Sequence, residues 1–183
     1  LSACKKEEEL VIFAASSLTE AFQEIGASFG ADHASLQIRF NFAGSSILRL
    51  QLEQGAMADV FASADLHQME LAQEARQIQR EPQIFAANSL VLITPNNDDR
   101  ISHPIHLAEP GLKLVLAQAE VPAGAYARKV LNLMAADPAF GADFAERVEA
   151  NLVSEETSVR QVMAKVILGE VDAAMVYSTD VTR

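Results

Sequence analysis

The sequence of 183 residues is long enough for one large domain or two small lobes. Half of its residues are hydrophobic and 21% are charged, which is typical of a globular protein with a core, and its apolar runs are too short to span a bilayer. The formal net charge of −11 argues against nucleic-acid binding, which needs a basic surface, and against long-range attraction of an anion. Any anion site in this chain must therefore use local hydrogen-bond donors.

The first residues have the pattern of a lipoprotein signal peptide near its cleavage site. Leu1-Ser2-Ala3 precedes Cys4, the single cysteine of the sequence, so an intramolecular disulfide is excluded. The charged run that follows predicts a disordered tether. A lipidated Cys4 implies an exported protein held at a membrane surface. The alternative is a chance cysteine in a frayed terminus.

Strand-like and helix-like patterns alternate through the first part of the chain. The predicted elements are a strand over Leu10–Ala15, a helix over Ser17–Phe29, a strand over Leu36–Ala43, a helix from Gly44-Ser45-Ser46 to Gln54, a strand over Asp59–Ala62 and a helix capped by Asp65 that runs to about Gln73. This βαβαβ order predicts a parallel sheet with right-handed crossovers.

A proline-containing stretch, Glu81–Ala87, is predicted to cross into a second lobe. The elements predicted beyond it are a strand over Ser89–Thr94, a polar loop over Asn96–Pro104, a turn over His106–Glu109, a strand over Leu112–Ala117, helices over Pro122–Ala135 and Pro138–Val148, a strand over Ala150–Val153, a helix over Ser158–Leu168 and a strand over Ala173–Tyr177. The predicted organisation is a signal remnant and tether over 1–8, lobe I over 9–86 and lobe II over 87–183. The chain ends after a strand without a closing helix, which predicts that it is truncated at its C-terminus.

Small and hydroxylic residues concentrate at four strand-to-helix turns. The turns are Ala14–Leu18, Phe42–Ser46, Glu120–Gly124 and Glu155–Val159. In open α/β sheets ligands bind beyond the carboxyl ends of the strands, where helix N-termini offer backbone N–H groups and partial positive charge. For any one turn, an ordinary helix cap is the simpler interpretation of the serines. Convergence of several turns on one cleft would favour an anion site.

Six segments in order along the chain resemble the molybdate-binding proteins of ABC importers. The segments are FAASSLT (13–19), FAGSS (42–46), ADVFASAD (58–65), NSLV (88–91), VPAG (121–124) and VYSTD (176–180). They cover nearly the whole chain beyond the tether. The resemblance implies an α/β type II periplasmic-binding-protein fold, in which two Rossmann-like lobes joined by a hinge enclose a ligand cleft. It also implies capture of molybdate or tungstate for a membrane permease.

The resemblance further implies an oxyanion held by uncharged donors from both lobes, without lysine or arginine. The implied ligands are the hydroxyls and backbone N–H groups of Ser17 and Ser45, the backbone N–H groups of Ala123 and Val159, and the phenol of Tyr177. Ser16 and Ser46 are secondary candidates. The choice between Ser45 and Ser46 stays open, since Gly44 stands where the family often carries a hydroxylic residue. The family implies no cofactor and no direct protein ligand to molybdenum.

The expected partners follow from the same resemblance. It implies a monomer that docks on the permease of an ABC importer, anchored through Cys4 in the periplasm or at the outer face of the cell membrane. Molybdate and tungstate have nearly the same size and charge, so the sequence ranks neither above the other. Another tetrahedral oxyanion, such as sulfate, is the alternative ligand.

An enzyme and a ligand-sensing domain are the competing interpretations. No Gly-x-Ser-x-Gly elbow, P-loop or dinucleotide glycine motif occurs, and the four histidines are predicted to lie at the surface. His103-x-x-His106 is a weak metal-binding pattern, because it lies in a loop without nearby carboxylates. The effector domain of a transcription regulator would carry a helix-turn-helix where this chain has its lipoprotein-like start. The sequence therefore favours a binding protein over both.

Overall fold

The computed structural model describes residues 8–95 and 100–181. The chain divides into two compact units, of which the first ends at Gln83 and the second begins at Ile84. Each unit contains one β-sheet with its own helices. The predicted lipidation site at Cys4 lies outside the described residues, as do residues 96–99 of the predicted polar loop.

The first unit contains the predicted βαβαβ arrangement. Its elements are β1 (Glu8–Ala15), a 3₁₀ helix (Ser16–Leu18), α1 (Thr19–Asp32), β2 (Leu36–Ala43), α2 (Ser45–Glu53), β3 (Val60–Ala62) and α3 (Leu66–Glu74). The sheet order is β2-β1-β3, and both neighbours run parallel to β1. The prediction of a parallel sheet in this unit is confirmed.

Alternating side chains of β1 are buried on the two faces of this sheet. Ile12 and Ala14 pack in one apolar cluster with Phe22 of α1. Phe13 packs in a second cluster with Leu48 of α2. Because successive strand residues point to opposite faces, α1 and α2 cover opposite sides of the sheet. Each fully buried side chain of this size stabilises the fold by about 1.5–3 kcal/mol.

Helix α1 covers its face only in part. No residue of α1 is buried, and Ile25 and Phe29 are 61% and 44% exposed although they continue the predicted apolar pattern. Helix α1 comes closest to β2 at Gly26, because a Cβ atom there would lie 2.6 Å from the ring of Phe40.

The second unit contains a mixed sheet. Its elements are β4 (Leu90–Ile93), a 3₁₀ helix (Pro104–Ala108), β5 (Leu114–Ala117), α4 (Pro122–Ala135), α5 (Phe144–Glu149), β6 (Leu152–Glu156), α6 (Val159–Ile167), β7 (Ala173–Tyr177) and α7 (Ser178–Val181). The strand order is β4-β7-β5-β6, with β4 antiparallel to β7 and the other pairs parallel. The antiparallel strand was not predicted from the sequence.

The core of the second unit lies between β5 and β7 and the helices α4 and α5. Leu114 and Leu116 of β5 are almost fully buried against Leu131 of α4 and Phe144 of α5, in one cluster. Helix α6 packs on the same two strands and buries Val162. Both faces of the central strands are therefore covered, which explains their continuous apolar sequences.

Two predicted elements of this unit were placed wrongly. The helix predicted over Pro138–Val148 begins only at Phe144. Residues 137–143 form turns instead, with Gly141 in the left-handed region at φ 87°. The strand predicted over Ala150–Val153 runs over Leu152–Glu156. It starts later because α5 continues to Glu149, and the N–H groups of Ala150 and Asn151 still bond back to carbonyl oxygens of that helix.

Two boundaries also differ from the predictions. Pro104 begins a 3₁₀ helix rather than ending a loop, since proline needs no N–H group at a first helical position. The short helix α7 follows β7 directly, where the sequence predicted no helix.

Gly124 lets the first turn of α4 lie directly against the end of β5. A Cβ atom at this position would lie 2.1 Å from the carbonyl oxygen of Gln118 and 2.3 Å from that of Ala117. Arg128 strengthens the same contact, because its Nη1 donates to the carbonyl oxygen of Ala117 at 2.9 Å. The N-terminus of α4 is thereby fixed at the carboxyl end of the central strand.

We expect Gly124→Ala to lower the free energy of unfolding by about 1–3 kcal/mol or more, because the methyl group meets backbone atoms that cannot rotate away. The matched control is Gly30→Ala in α1, where nothing lies within 4 Å of the added methyl group. That change is expected to raise stability by up to about 0.5–1 kcal/mol. Urea unfolding of both variants measures the difference. A Gly124→Ala protein as stable as the unchanged chain would contradict the close packing.

Candidate functional site

Two strand-to-helix turns lie side by side in the first unit. Strands β1 and β2 end at Ala15 and Ala43, which are partners in the parallel ladder. Ser17 follows the first strand and is half-buried, whereas Ser45 follows the second and is 1% exposed. The structure therefore places these two predicted ligands at the same edge of one sheet.

The N-terminus of α2 presents backbone donors. Its N-cap residue is Gly44, which has no side chain to accept from them, and no cap hydrogen bond is made. The first intrahelical bond runs from the N–H of Leu48 to the oxygen of Gly44 at 3.1 Å. The N–H groups of Ser45, Ser46 and Ile47 therefore have no acceptor within their own helix.

The hydroxyl group of Ser45 is held by the turn that follows β3. Its Oγ accepts a hydrogen bond from the N–H of Ala64 at 3.0 Å. In the same turn, Ser63 Oγ accepts from the N–H of Asp65 at 3.2 Å. A hydroxyl that accepts a bond keeps its own proton for donation. Ser45 is therefore both anchored and able to donate.

The turn after β1 is closed by Thr19. Its Oγ1 donates to the carbonyl oxygen of Ser16 at 2.7 Å, and its backbone N–H bonds to the same oxygen. The residue before the turn is Ala15, which makes no side-chain cap. The closed turn fixes the backbone around Ser17.

Helix α4 of the second unit starts in a similar way. Its N-cap residue is Val121, which cannot cap, and its first residue is Pro122, which has no N–H group. The first intrahelical bond runs from Ala125 to the oxygen of Val121 at 2.9 Å. The N–H groups of Ala123 and Gly124 are therefore the donors that α4 offers at its N-terminus.

Helix α6 differs because it carries a side-chain cap. Ser158 Oγ accepts from the N–H of Gln161 at 3.4 Å, and Gln161 Oε1 accepts from the N–H of Thr157 at 3.1 Å. The cap takes up the N–H of Gln161 and not that of Val159. The Ser-x-x-Gln spacing is the sequence signal of a capping box, although Gln161 here bonds to the residue before the cap.

Tyr177 is the last residue of β7 and is 6% exposed. Strands β5, β6 and β7 run in the same direction, so their carboxyl ends lie at one edge of the sheet. That edge carries the N-terminus of α4, the N-terminus of α6 and Tyr177. The three ligands predicted for the second unit, Ala123, Val159 and Tyr177, are thus at a common edge.

Asp180 holds the backbone of Tyr177. Its Oδ2 accepts a hydrogen bond from the N–H of Tyr177 at 3.3 Å, and the residue is 9% exposed. Burial raises the pKa of Asp180, whereas the bond from Tyr177 and the charge of Arg160 act in the opposite direction. Asp180 was not predicted as a site residue, because Tyr177-x-x-Asp180 lacks the serine or threonine that begins a capping box.

Three of the four histidines, His33, His103 and His106, form hydrogen bonds with backbone groups. His103 Nδ1 accepts from the N–H of Ile105, and His106 Nδ1 accepts from the N–H of Ser102, both at 3.3 Å. His106 is half-buried, whereas His33, His67 and His103 are exposed. Residues 8–95 and 100–181 contain no group of three or more histidine, cysteine or acidic residues that could hold a metal ion. Within the same residues, no helix has both the length and the apolar sequence needed to cross a membrane.

The fold is that of the periplasmic binding proteins. The periplasmic molybdate-binding protein of Azotobacter vinelandii matches with a TM-score of 0.72 at 20% identity, over 92% of this chain and 71% of that chain. The sulfate-binding protein SubI of Mycobacterium tuberculosis matches with a TM-score of 0.76 at 14% identity, over 93% and 64%. At these identities the likeness shows the architecture alone.

The family is shown by sequence. The model of the bacterial extracellular solute-binding proteins matches residues 10–183. Molybdate-binding protein ModA of Mycobacterium tuberculosis is 41% identical over 172 residues, which are 93% of this chain and 61% of that protein. The chain therefore belongs to the bacterial extracellular solute-binding protein family, and it spans about three fifths of the length of the mycobacterial relative.

We expect Asp180→Asn to raise the free energy of unfolding near pH 7, because the variant removes a buried charge and its amide oxygen can still accept from Tyr177. Folding raises the pKa of Asp180. As the pH rises, the unfolded chain therefore loses this proton first, and stability falls from about pH 4 up to the raised pKa. The advantage of the variant is thus expected to vanish near about pH 3. Urea unfolding at a series of pH values measures it, and a pH-independent difference would exclude burial as the cause.

Proposed function

We propose that this chain captures molybdate or tungstate and delivers it to the permease of an ABC importer. The observation that carries the proposal is the set of helix N-termini at the carboxyl edges of the two sheets. At α2 and α4 the cap residues, Gly44 and Val121, leave first-turn N–H groups without a capping side chain. Such groups bind oxyanions directly. The name of the mycobacterial relative, molybdate-binding protein, agrees with this chemistry.

In the first unit, the proposed donors are Ser17 and Ser45. Ser45 is preferred over Ser46, because the bond from Ala64 occupies an acceptor position of its hydroxyl and leaves the proton for a ligand. The N–H group of Ser45 also lies in the first turn of α2, where backbone N–H groups have no acceptor within the helix. Ser16 and Ser46, both buried, remain secondary candidates.

In the second unit, the proposed donors are the N–H groups of Ala123 and Val159 and the phenol of Tyr177. Pro122 leaves Ala123 as the first residue of α4 with an N–H group, and the methyl side chain of Ala123 takes little space. The cap on α6 binds further along, at Gln161, so it does not compete for the N–H of Val159.

A site built from such groups explains how a chain of net charge −11 can bind a dianion. Amide and hydroxyl dipoles act over short distances and are already oriented by the helices that carry them. A lining of donors alone suits a fully deprotonated oxyanion, since the O–H group of a protonated one would have no acceptor. The size of the site would then separate molybdate and tungstate from sulfate.

The two units would act as the two lobes, which were predicted as residues 9–86 and 87–183. We propose that the oxyanion shifts the population towards the form of the protein that it binds most tightly. The loaded protein, acting as a monomer, would then dock on the permease. Lipidation of Cys4 would hold it at the outer face of the cell membrane or in the periplasm.

Titration calorimetry against four anions tests the ligand. We expect molybdate and tungstate to bind with similar dissociation constants, and sulfate and phosphate to bind more weakly, because of size and of the lack of an acceptor for a phosphate proton. Equal affinity for all four anions, or no heat with molybdate, would contradict the proposed function.

The serine assignment is tested separately by a variant that combines Ser17→Ala and Ser45→Ala. Each lost bond to a charged ligand is expected to cost about 1.5–3 kcal/mol of binding free energy. The matched control is Ser28→Ala, which removes an exposed hydroxyl from α1 in the same unit. Calorimetry with molybdate compares the three proteins. An unchanged dissociation constant in the double variant would show that other groups bind the ligand.

A further inference from the structure

The side chain of Asn88 joins two distant segments of the second unit. Its Nδ2 donates to Thr179 Oγ1 at 2.8 Å, and its Oδ1 accepts from Ser178 Oγ at 3.0 Å. The same Oδ1 also accepts from the N–H of Ser89 at 2.9 Å. Asn88 leads into β4, whereas Ser178 and Thr179 follow β7. One amide group therefore connects the start of one strand to the end of its neighbour.

Backbone contacts extend this connection up to Tyr177. The N–H of Ser178 donates to the carbonyl oxygen of Ser89 at 2.8 Å. Next to this bond, Leu90 and Tyr177 are the first partners of the antiparallel ladder between β4 and β7. The Asn88 bonds thus begin where the regular ladder ends, one residue beyond Tyr177.

Asn88 contributes little to the core of this unit. The side chain is exposed and is absent from the apolar cluster built by β5, β7, α4 and α5. Three hydrogen bonds nevertheless restrict one short amide group, and both lone pairs of its oxygen are used. We therefore expect the three bonds of the exposed Asn88 side chain to fix the backbone of residues 178–179 and to add little to the stability of the fold.

We propose that Asn88 is a positioning residue for the phenol of Tyr177. A side chain at the end of a strand takes its direction from the backbone on both sides. The backbone before Tyr177 is held by the ladder with β4, and the backbone after Tyr177 is held by the bonds of Asn88 to Ser178 and Thr179. The role of Asn88 in binding rests on the proposed function, because Tyr177 is a ligand of the oxyanion only in that proposal. A displaced phenol would weaken binding while the fold persists.

A double-mutant cycle measures whether Asn88 acts through Tyr177. In the chain with Tyr177 intact, Asn88→Ala is expected to weaken molybdate binding roughly tenfold, the size expected for one impaired hydrogen bond to a charged ligand. In a Tyr177→Phe background the same change is expected to alter the dissociation constant by less than about twofold. Equal losses in both backgrounds, or no loss in the first, would overturn the proposal.

A spectroscopic signal tests the positioning without any ligand. The chain has two tyrosines and no tryptophan, so Tyr177 is the only tyrosine left after Tyr126→Phe. In that background we expect Asn88→Ala to reduce the near-ultraviolet circular dichroism of the tyrosine band, which depends on a fixed ring. The matched control is Asn132→Ala, which removes an exposed asparagine from α4 and is expected to leave the band unchanged.

Thr179→Val provides a second variant if Asn88→Ala fails to fold, because it removes only the acceptor of Nδ2 and keeps the shape of the side chain. It is expected to reduce the tyrosine band and the molybdate affinity in the same direction. If the unchanged chain does not bind molybdate, that result refutes the proposed function but not the positioning role of Asn88. A tyrosine band unchanged by both variants would refute the positioning role, with or without binding.

Discussion

A backbone N–H group without an acceptor in its own helix needs another acceptor. This requirement applies at the carboxyl edges of both sheets, where the helices begin. Helices α3 and α6 meet it in part, because Asp65 and Ser158 accept from the N–H groups of Gln68 and Gln161. Helices α2 and α4 do not, because Gly44 and Val121 precede them. The proposed oxyanion would therefore complete hydrogen bonding that the chain itself leaves incomplete.

Oriented dipoles are useful only when they are held in place. The close approach at Gly124 fixes α4 on β5, and the bond from Ala64 fixes the hydroxyl of Ser45. These contacts involve few charges, although the sequence has 25 acidic residues against 14 lysines and arginines. Rigid donors need not reorganise when a ligand arrives, so a site without charged side chains could still select a dianion.

Local signals explain why much of the fold could be predicted. Pro122 marks the start of α4, and β2 is recognisable from strict alternation, so Pro122–Ala135 and Leu36–Ala43 were predicted with correct bounds. The helix predicted from Pro138 was wrong, since apolar spacing does not reveal the left-handed turn at Gly141. Strand direction is not encoded in strand periodicity, which hid the antiparallel β4. The bonds of Asn88 join positions 91 residues apart in the case of Thr179, beyond the reach of any local pattern.

The antiparallel pairing of β4 with β7 has a topological consequence. Leu90 lies opposite Tyr177, and Asn88 donates to Thr179, so the first and last described segments of the second unit lie side by side. Segments with adjacent ends are the ones that can be inserted into, or moved between, host proteins without disturbing either fold. The second unit has neighbouring ends of this kind, which are joined by the hydrogen bond between Asn88 and Thr179.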